Sequence, residues 1–274
     1  MTPPIVVLTD FFAVSNRAIS YAAGLALPMQ AQLVLLHVRH NGLLSPEEYT
    51  HRGTQHNERE TLEALTKLAG SQPVPTQVEI SEGYLPDAVT QAVRHHHPQL
   101  LVLGRPGTAA MPAEVIVDAA MDLLRHVPHP LLTVPTVGWD TFPPQNMLLA
   151  VDGDDFTLYE NQDILQHLLQ ALQGTLTLIH VTDQKDPGAA SGHDAIRSVR
   201  KSGLASVSDK YPVQIVYNAN VAEGILQSAA ELETDLLVVI ARRHSLLGGL
   251  FHRSVTAQII GESPIPVLLI PAMD

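Results

Sequence analysis

The chain repeats itself. The run Ile5-Val6-Val7-Leu8-Thr9-Asp10 returns as Met147-Leu148-Leu149-Ala150-Val151-Asp152. Leu33-Val34-Leu35-Leu36-His37-Val38 returns as Leu176-Thr177-Leu178-Ile179-His180-Val181. Val74-Pro75-Thr76-Gln77-Val78-Glu79 resembles Tyr211-Pro212-Val213-Gln214-Ile215-Val216, and the apolar run from Leu100 to Gly104 resembles the run from Leu236 to Ala241. Last, Pro128-His129-Pro130-Leu131-Leu132-Thr133-Val134-Pro135 matches Pro264-Ile265-Pro266-Val267-Leu268-Leu269-Ile270-Pro271. The landmarks keep their order at an offset of about 140 residues, a period that marks a duplicated domain and not a solenoid. In a chain of 274 residues, each copy is long enough to bury a core of its own.

The apolar runs are short and continuous, the pattern of strands buried on both faces of a parallel sheet. Helical stripes lie between them: Ala18, Ala22 and Leu25; Leu62, Leu65 and Leu68; Ile164, Leu165, Leu168, Leu169 and Leu172. Pro28, Pro98, Pro128 and Pro212 punctuate the elements. Each copy therefore reads β-α-β-α-β-α-β-α-β. The expected class is α/β, with two tandem, doubly wound, five-stranded parallel-sheet domains of Rossmann-like form. The expected boundaries are residues 1–136 and 146–274, joined by a linker over 137–145 that holds Gly138, Pro143 and Pro144. The single tryptophan, Trp139, sits in that linker and reads as an apolar plug onto a domain.

Hydrophobic residues make up 45% and charged residues 16% of the chain, proportions of a folded globule and not of a disordered segment. The net charge is −12, and both halves are acidic, which disfavours nucleic acid and anionic membrane as partners. No cysteine is present, so disulfides, thiolate catalysis and cysteine-based zinc sites are excluded. The start, Met1-Thr2-Pro3-Pro4-Ile5, lacks the basic and apolar segments of a signal peptide, and runs such as Leu236 to Ala241 are too short to span a bilayer. A cytoplasmic location is expected.

In an open parallel sheet, ligands bind beyond the carboxyl ends of the strands, where strand order reverses. Asp10 and Asp152 end the first strands of the two copies, and Gly104-Arg105-Pro106-Gly107 follows the fourth strand of the first copy. Glycines there let backbone N–H groups approach a phosphate, and the next helix start adds partial positive charge. The two aspartates read equally well as helix N-cap residues.

The run Leu101-Val102-Leu103-Gly104-Arg105-Pro106-Gly107, with its continuation from Leu124 to Pro135, resembles the second half of a universal stress protein domain. The stretch from Leu236 to Pro271 carries the same design, so the resemblance covers nearly the whole chain, twice. It implies an adenine nucleotide alpha hydrolase-like fold. ATP-binding members of that family carry Gly-x2-Gly-x9-Gly-Ser/Thr after the fourth strand, an Asp ending the first strand and a Val ending the second. Asp10, Val38, Gly104 and Gly107 match in the first copy; Asp152 and Val181 match in the second.

The departures bear on phosphate. In the first copy the final Gly-Ser/Thr pair falls on Val117-Asp118. Val117 adds a side chain where backbone should approach. Asp118 adds a negative charge, worth about 1–4 kcal/mol of repulsion at ~4 Å. Pro106 and Pro112 remove two backbone donors. In the second copy Ala241 and His244 stand at the first two glycines, and Arg253-Ser254 replaces Gly-Ser, one residue early. That loop is basic, with Arg242, Arg243, His244, His252 and Arg253, so it reads either as an anion holder through side-chain charge or as a solvated loop or a contact to the other domain.

His37 and His180 recur at the ends of the second strands and read as hydrogen-bonded structural positions before catalytic bases. His95-His96-His97 precede Pro98, where the end of a helix favours positive charge. Consecutive helical residues point apart, and no acid stands at ligand spacing in the sequence, so no metal site is expected. No Gly-x-Ser-x-Gly elbow, Walker A lysine or Gly-x-Gly-x-x-Gly motif is present, and no catalytic residue is assigned.

The expected function is that of a non-catalytic stress-response protein acting through conformation or an unidentified protein partner, with weak or absent ATP binding and no required cofactor. The alternative is a sensor of an adenine nucleotide (ATP or AMP) or small anion at one crevice. By resemblance, family domains dimerise through their last strands. This chain could form that pseudo-dimer internally, pairing Leu131–Val134 with Val267–Ile270, and a homodimer of chains is a further level.

Overall fold

The computed structural model of the protein describes residues 2–9, 13–39, 57–105, 113–136, 142–159, 163–183, 188–202, 213–242 and 255–273. Two compact units divide the chain, the first formed mainly by residues 1–127 and 131–137, the second mainly by 138–274.

The first unit alternates strand and helix throughout: β1 (Ile5–Leu8), α1 (Ala13–Met29), β2 (Leu33–Arg39), α2 (Asn57–Gly70), β3 (Thr76–Glu82), α3 (Leu85–His96), β4 (Leu100–Arg105), α4 (Ala113–His126) and β5 (Leu131–Pro135). Its strands lie in the order β3-β2-β1-β4-β5, each pair parallel. Every residue of β1, β4 and β5 is buried, as their unbroken apolar composition requires. Helix α1 packs on β1, β4 and β5, and places Ala18, Ala22 and Leu25 in the core.

The second unit comprises β6 (Asn146–Ala150), β7 (Thr157–Leu158), α5 (Ile164–Leu172), β8 (Thr175–Thr182), α6 (Gly188–Lys201), β9 (Val213–Tyr217), α7 (Val221–Glu231), β10 (Leu236–Arg242), α8 (Val255–Glu262) and β11 (Val267–Met273). Its parallel strands lie in the order β11-β10-β6-β8-β9. The doubly wound α/β class is therefore present in both copies. One element was not expected: the two-residue β7 pairs antiparallel with β11, Leu158 opposite Ala272.

Two details of the sequence patterns differ in the structure. Leu62 is 48% exposed on α2 while Leu65 is fully buried, so the buried stripe there is narrower than the leucine spacing suggests. Strands β3 and β9 are half-buried, not fully buried. They pair on one side only in the strand paths of their units, which leaves part of each open to solvent.

The helix ends are set locally. Helix α3 begins with Pro86 in its first turn and stops where His97 takes the left-handed conformation (φ 47°), its N–H bonded to the Val93 carbonyl. Helix α5 stops the same way at Gln173 (φ 52°), whose N–H bonds to Leu169. Helix α7 is capped by Asn220, whose side chain accepts from the Glu223 N–H at 3.3 Å. Among the described residues, no helix is long and apolar enough to cross a membrane.

Candidate functional site

Strand order reverses between β1 and β4 in the first unit and between β6 and β10 in the second, so the crevices lie beyond the carboxyl ends of those pairs. At the first crevice, Asp10 and Gly107 lie outside the described residues. Gly104 is buried within β4, opposite Val134. Arg105 follows it, also buried, and that burial pushes the guanidinium pKa down from its ordinary value. Val38 is half-buried near the end of β2, opposite Ser81. Beside it, His37 is buried, its Nδ1 2.9 Å from the Thr9 carbonyl oxygen. A carbonyl only accepts, so Nδ1 carries the proton.

Val117 and Asp118 fall in the second turn of α4, with Asp118 exposed. Their N–H groups belong to the helix ladder, which uses every N–H after the first four. The pair therefore offers no free backbone N–H of the kind its place in the motif implies.

The second crevice repeats the histidine. His180 is buried, and its Nδ1 donates to the Val151 carbonyl at 3.0 Å, the counterpart of the His37–Thr9 bond. The ring lies over Gly153, which takes φ +90°; a Cβ there would stand 3.3 Å from His180 Cε1. Val181 is buried against α7, where a Cβ on Gly224 would come within 2.8 Å of its Cγ1.

Asp152 is half-exposed but already engaged. Nη2 of Arg242 donates to Asp152 Oδ2, and to Asp154 Oδ2 at 3.0 Å. Asp152 Oδ1 accepts from the Asp154 N–H at 3.2 Å. The Arg242 side chain is only 7% exposed, whereas that of Asp152 is 52% exposed. Desolvation of the carboxyl pushes the Asp152 pKa above its ordinary range, while Arg242 and the Asp154 N–H pull it back. The pair follows from topology: β6 and β10 are parallel neighbours, with Ala150 opposite Val239, so the residues just past these positions meet at one end of the sheet.

This corrects the placing of Arg242 in an anion-holding loop: its guanidinium is turned inward onto two carboxylates. The sequence carried a signal for it. Arg242 follows Ala241 as Arg105 follows Gly104, so a basic residue recurs at the same place in both copies, and both are buried. Arg253, Ser254 and the rest of that loop lie outside the described residues.

A second polar cluster, away from the crevices, involves the histidine run. His96 Nε2 hydrogen-bonds Glu79 Oε2, and His95 Nδ1 lies 3.8 Å from the same oxygen. An acid does stand at ligand distance, supplied by β3 and not by the neighbouring sequence, and two consecutive histidines converge on it.

The profile of the universal stress protein family matches residues 1–135 and again 144–271. No curated protein matches the sequence. Among solved structures, a universal stress protein from Archaeoglobus fulgidus DSM 4304 is similar at 15% identity and TM-score 0.65, over 98% of this chain and 96% of that one. A functionally unknown protein from Pseudomonas aeruginosa PAO1 is similar at 15% identity and TM-score 0.57, over 98% and 92%. The cytoplasmic domain of a prokaryotic cation chloride cotransporter shares the fold at 10% identity and TM-score 0.53, over 100% and 96%. With the double family match spanning nearly all its length, the chain belongs to the universal stress protein family, as a tandem member with two copies of the domain.

Proposed function

We propose that the protein is a non-catalytic, cytoplasmic stress-response protein that works through its conformation or a protein partner, and that its second crevice does not take ATP. The observation that carries this reading is the inward-turned Arg242. An adenosine held by Asp152 would compete with the guanidinium for the same carboxylate. Freeing it would take one of two carboxylates from a buried cation. The cost is about 2–3 kcal/mol, between that of an exposed and a buried pair, or roughly 30- to 160-fold in affinity. Helix formation at Val117-Asp118 weakens the phosphate end of the first crevice in a different way. The titratable groups described at the crevices support a non-catalytic role: His37 and His180 are tied to carbonyls, and Asp152 to an arginine.

The second reading, a sensor of adenine nucleotide or small anion, is favoured at the first crevice. Val38 is half-buried and reachable there, whereas Val181 is covered by α7. Calorimetric titration of the full chain with ATP, AMP and inorganic phosphate tests both. The leading reading expects no micromolar binding of any of the three. Micromolar ATP or AMP binding abolished by Asp10→Ala would replace it with the sensor.

A further inference from the structure

Glu79 projects from the middle of β3, where its Cα lies opposite Leu36 of β2. His95 and His96 form the last turn of α3, which returns from β3 towards the amino ends of the strands and so carries its final turn away from the crevice. One donor atom from each of the three residues lies within 4.8 Å of the other two. Tetrahedral metal ligands at about 2.0–2.2 Å from an ion stand roughly 3.4 Å apart, so His95 must move slightly inward while the hydrogen-bonded His96 and Glu79 part to admit the ion. His95 can supply that shift, since its side chain is 75% exposed. His96 and Glu79 are more enclosed, their side chains 13% and 25% exposed.

We propose that Glu79, His95 and His96 form a binding site for one divalent transition-metal ion, with zinc the most suitable. Two imidazoles and a carboxylate select zinc, copper or nickel over calcium or magnesium, which prefer oxygen alone. The carbonyl end of α3 adds partial negative charge beside the ion. Exposure of His95 leaves an entry path and an open fourth position for water. The two imidazole rings, with centroids 4.4 Å apart, already face the same region. The ion ties the end of α3 to the middle of β3 and takes the place of the His96–Glu79 hydrogen bond.

The test is titration of the full chain with cobalt and zinc. Cobalt is expected to give the visible absorption of a four-coordinate site at one ion per chain, displaced by one equivalent of zinc. His96→Ala and Glu79→Ala are each expected to weaken binding at least tenfold, while His97→Ala, outside the cluster, leaves it unchanged. Thermal unfolding without metal verifies that each variant is folded, and His95→Ala on the exposed side supplies a milder second probe. No cobalt spectrum, or a spectrum and affinity unchanged in the Glu79→Ala/His96→Ala double variant, would overturn the site and leave the cluster as a histidine–carboxylate hydrogen bond.

Discussion

Arg242 and Asp152 face each other across the ends of two parallel strands, the guanidinium buried and the carboxylate half in water. That asymmetry predicts unequal effects of removing either partner. Asp152→Ala leaves a buried cation under-paired and is expected to cost about 2–3 kcal/mol in urea unfolding. Arg242→Met keeps the buried aliphatic stem and leaves a carboxylate that water can reach, at about 1–2 kcal/mol. The reverse order would mean that the carboxylate is the more dependent member.

Gly153 and His180 are coupled. Alanine at 153 must adopt φ +90° and press on the imidazole at 3.3 Å. Gly153→Ala is expected to destabilise the second unit by about 1–2 kcal/mol. Truncating the ring removes the clash but not the backbone strain. A double-mutant cycle with His180→Ala should therefore recover part of the loss, by about 0.5–1 kcal/mol.

At Gly224 two effects oppose each other. Alanine favours a helix interior over glycine by about 1 kcal/mol. Its Cβ, however, would lie 2.7 Å from Asn218 Cβ and 2.8 Å from Val181 Cγ1. Overpacking wins: Gly224→Ala is expected to lose about 1–3 kcal/mol. Val181→Ala in the same chain should relieve the valine side of the contact, as thermal unfolding would measure.

The Tyr84 phenol hydrogen-bonds the Asp122 carboxylate, which raises its pKa from the ordinary 10.0. The neutral phenol is the form that the fold favours. Its contribution to stability is complete below pH 10 and is lost as pH rises through the folded-state value. NMR titration of labelled tyrosine should place Tyr84 above the ordinary midpoint, and Asp122→Asn should bring it back down.

Much of the fold was legible because burial on both faces forces continuous apolar runs, as in Ile5–Leu8 and Leu236–Val239. The half-burial of the outer strands was less legible, because on β9 it is the apolar Ile215 and Tyr217 that lie 43% and 44% exposed. The structural role of the paired histidines followed from their recurrence. The Arg242–Asp152 contact spans 90 positions, and the His96–Glu79 contact 17. Neither has a local signature, and each depends on which strands become neighbours. Asp10 and Gly107 of the first crevice, and Arg253 and Ser254 of the second, lie outside the described residues.

The most direct measurement is calorimetric titration of ATP into the Asp10→Ala chain, in which the first crevice has lost its expected adenosine contact and only the second remains to be read. With Arg242 holding Asp152, no saturable binding is expected at micromolar ATP. Stoichiometric micromolar binding, with nucleotide density beside Asp152 in a crystal of that complex, would contradict the closure of the second crevice.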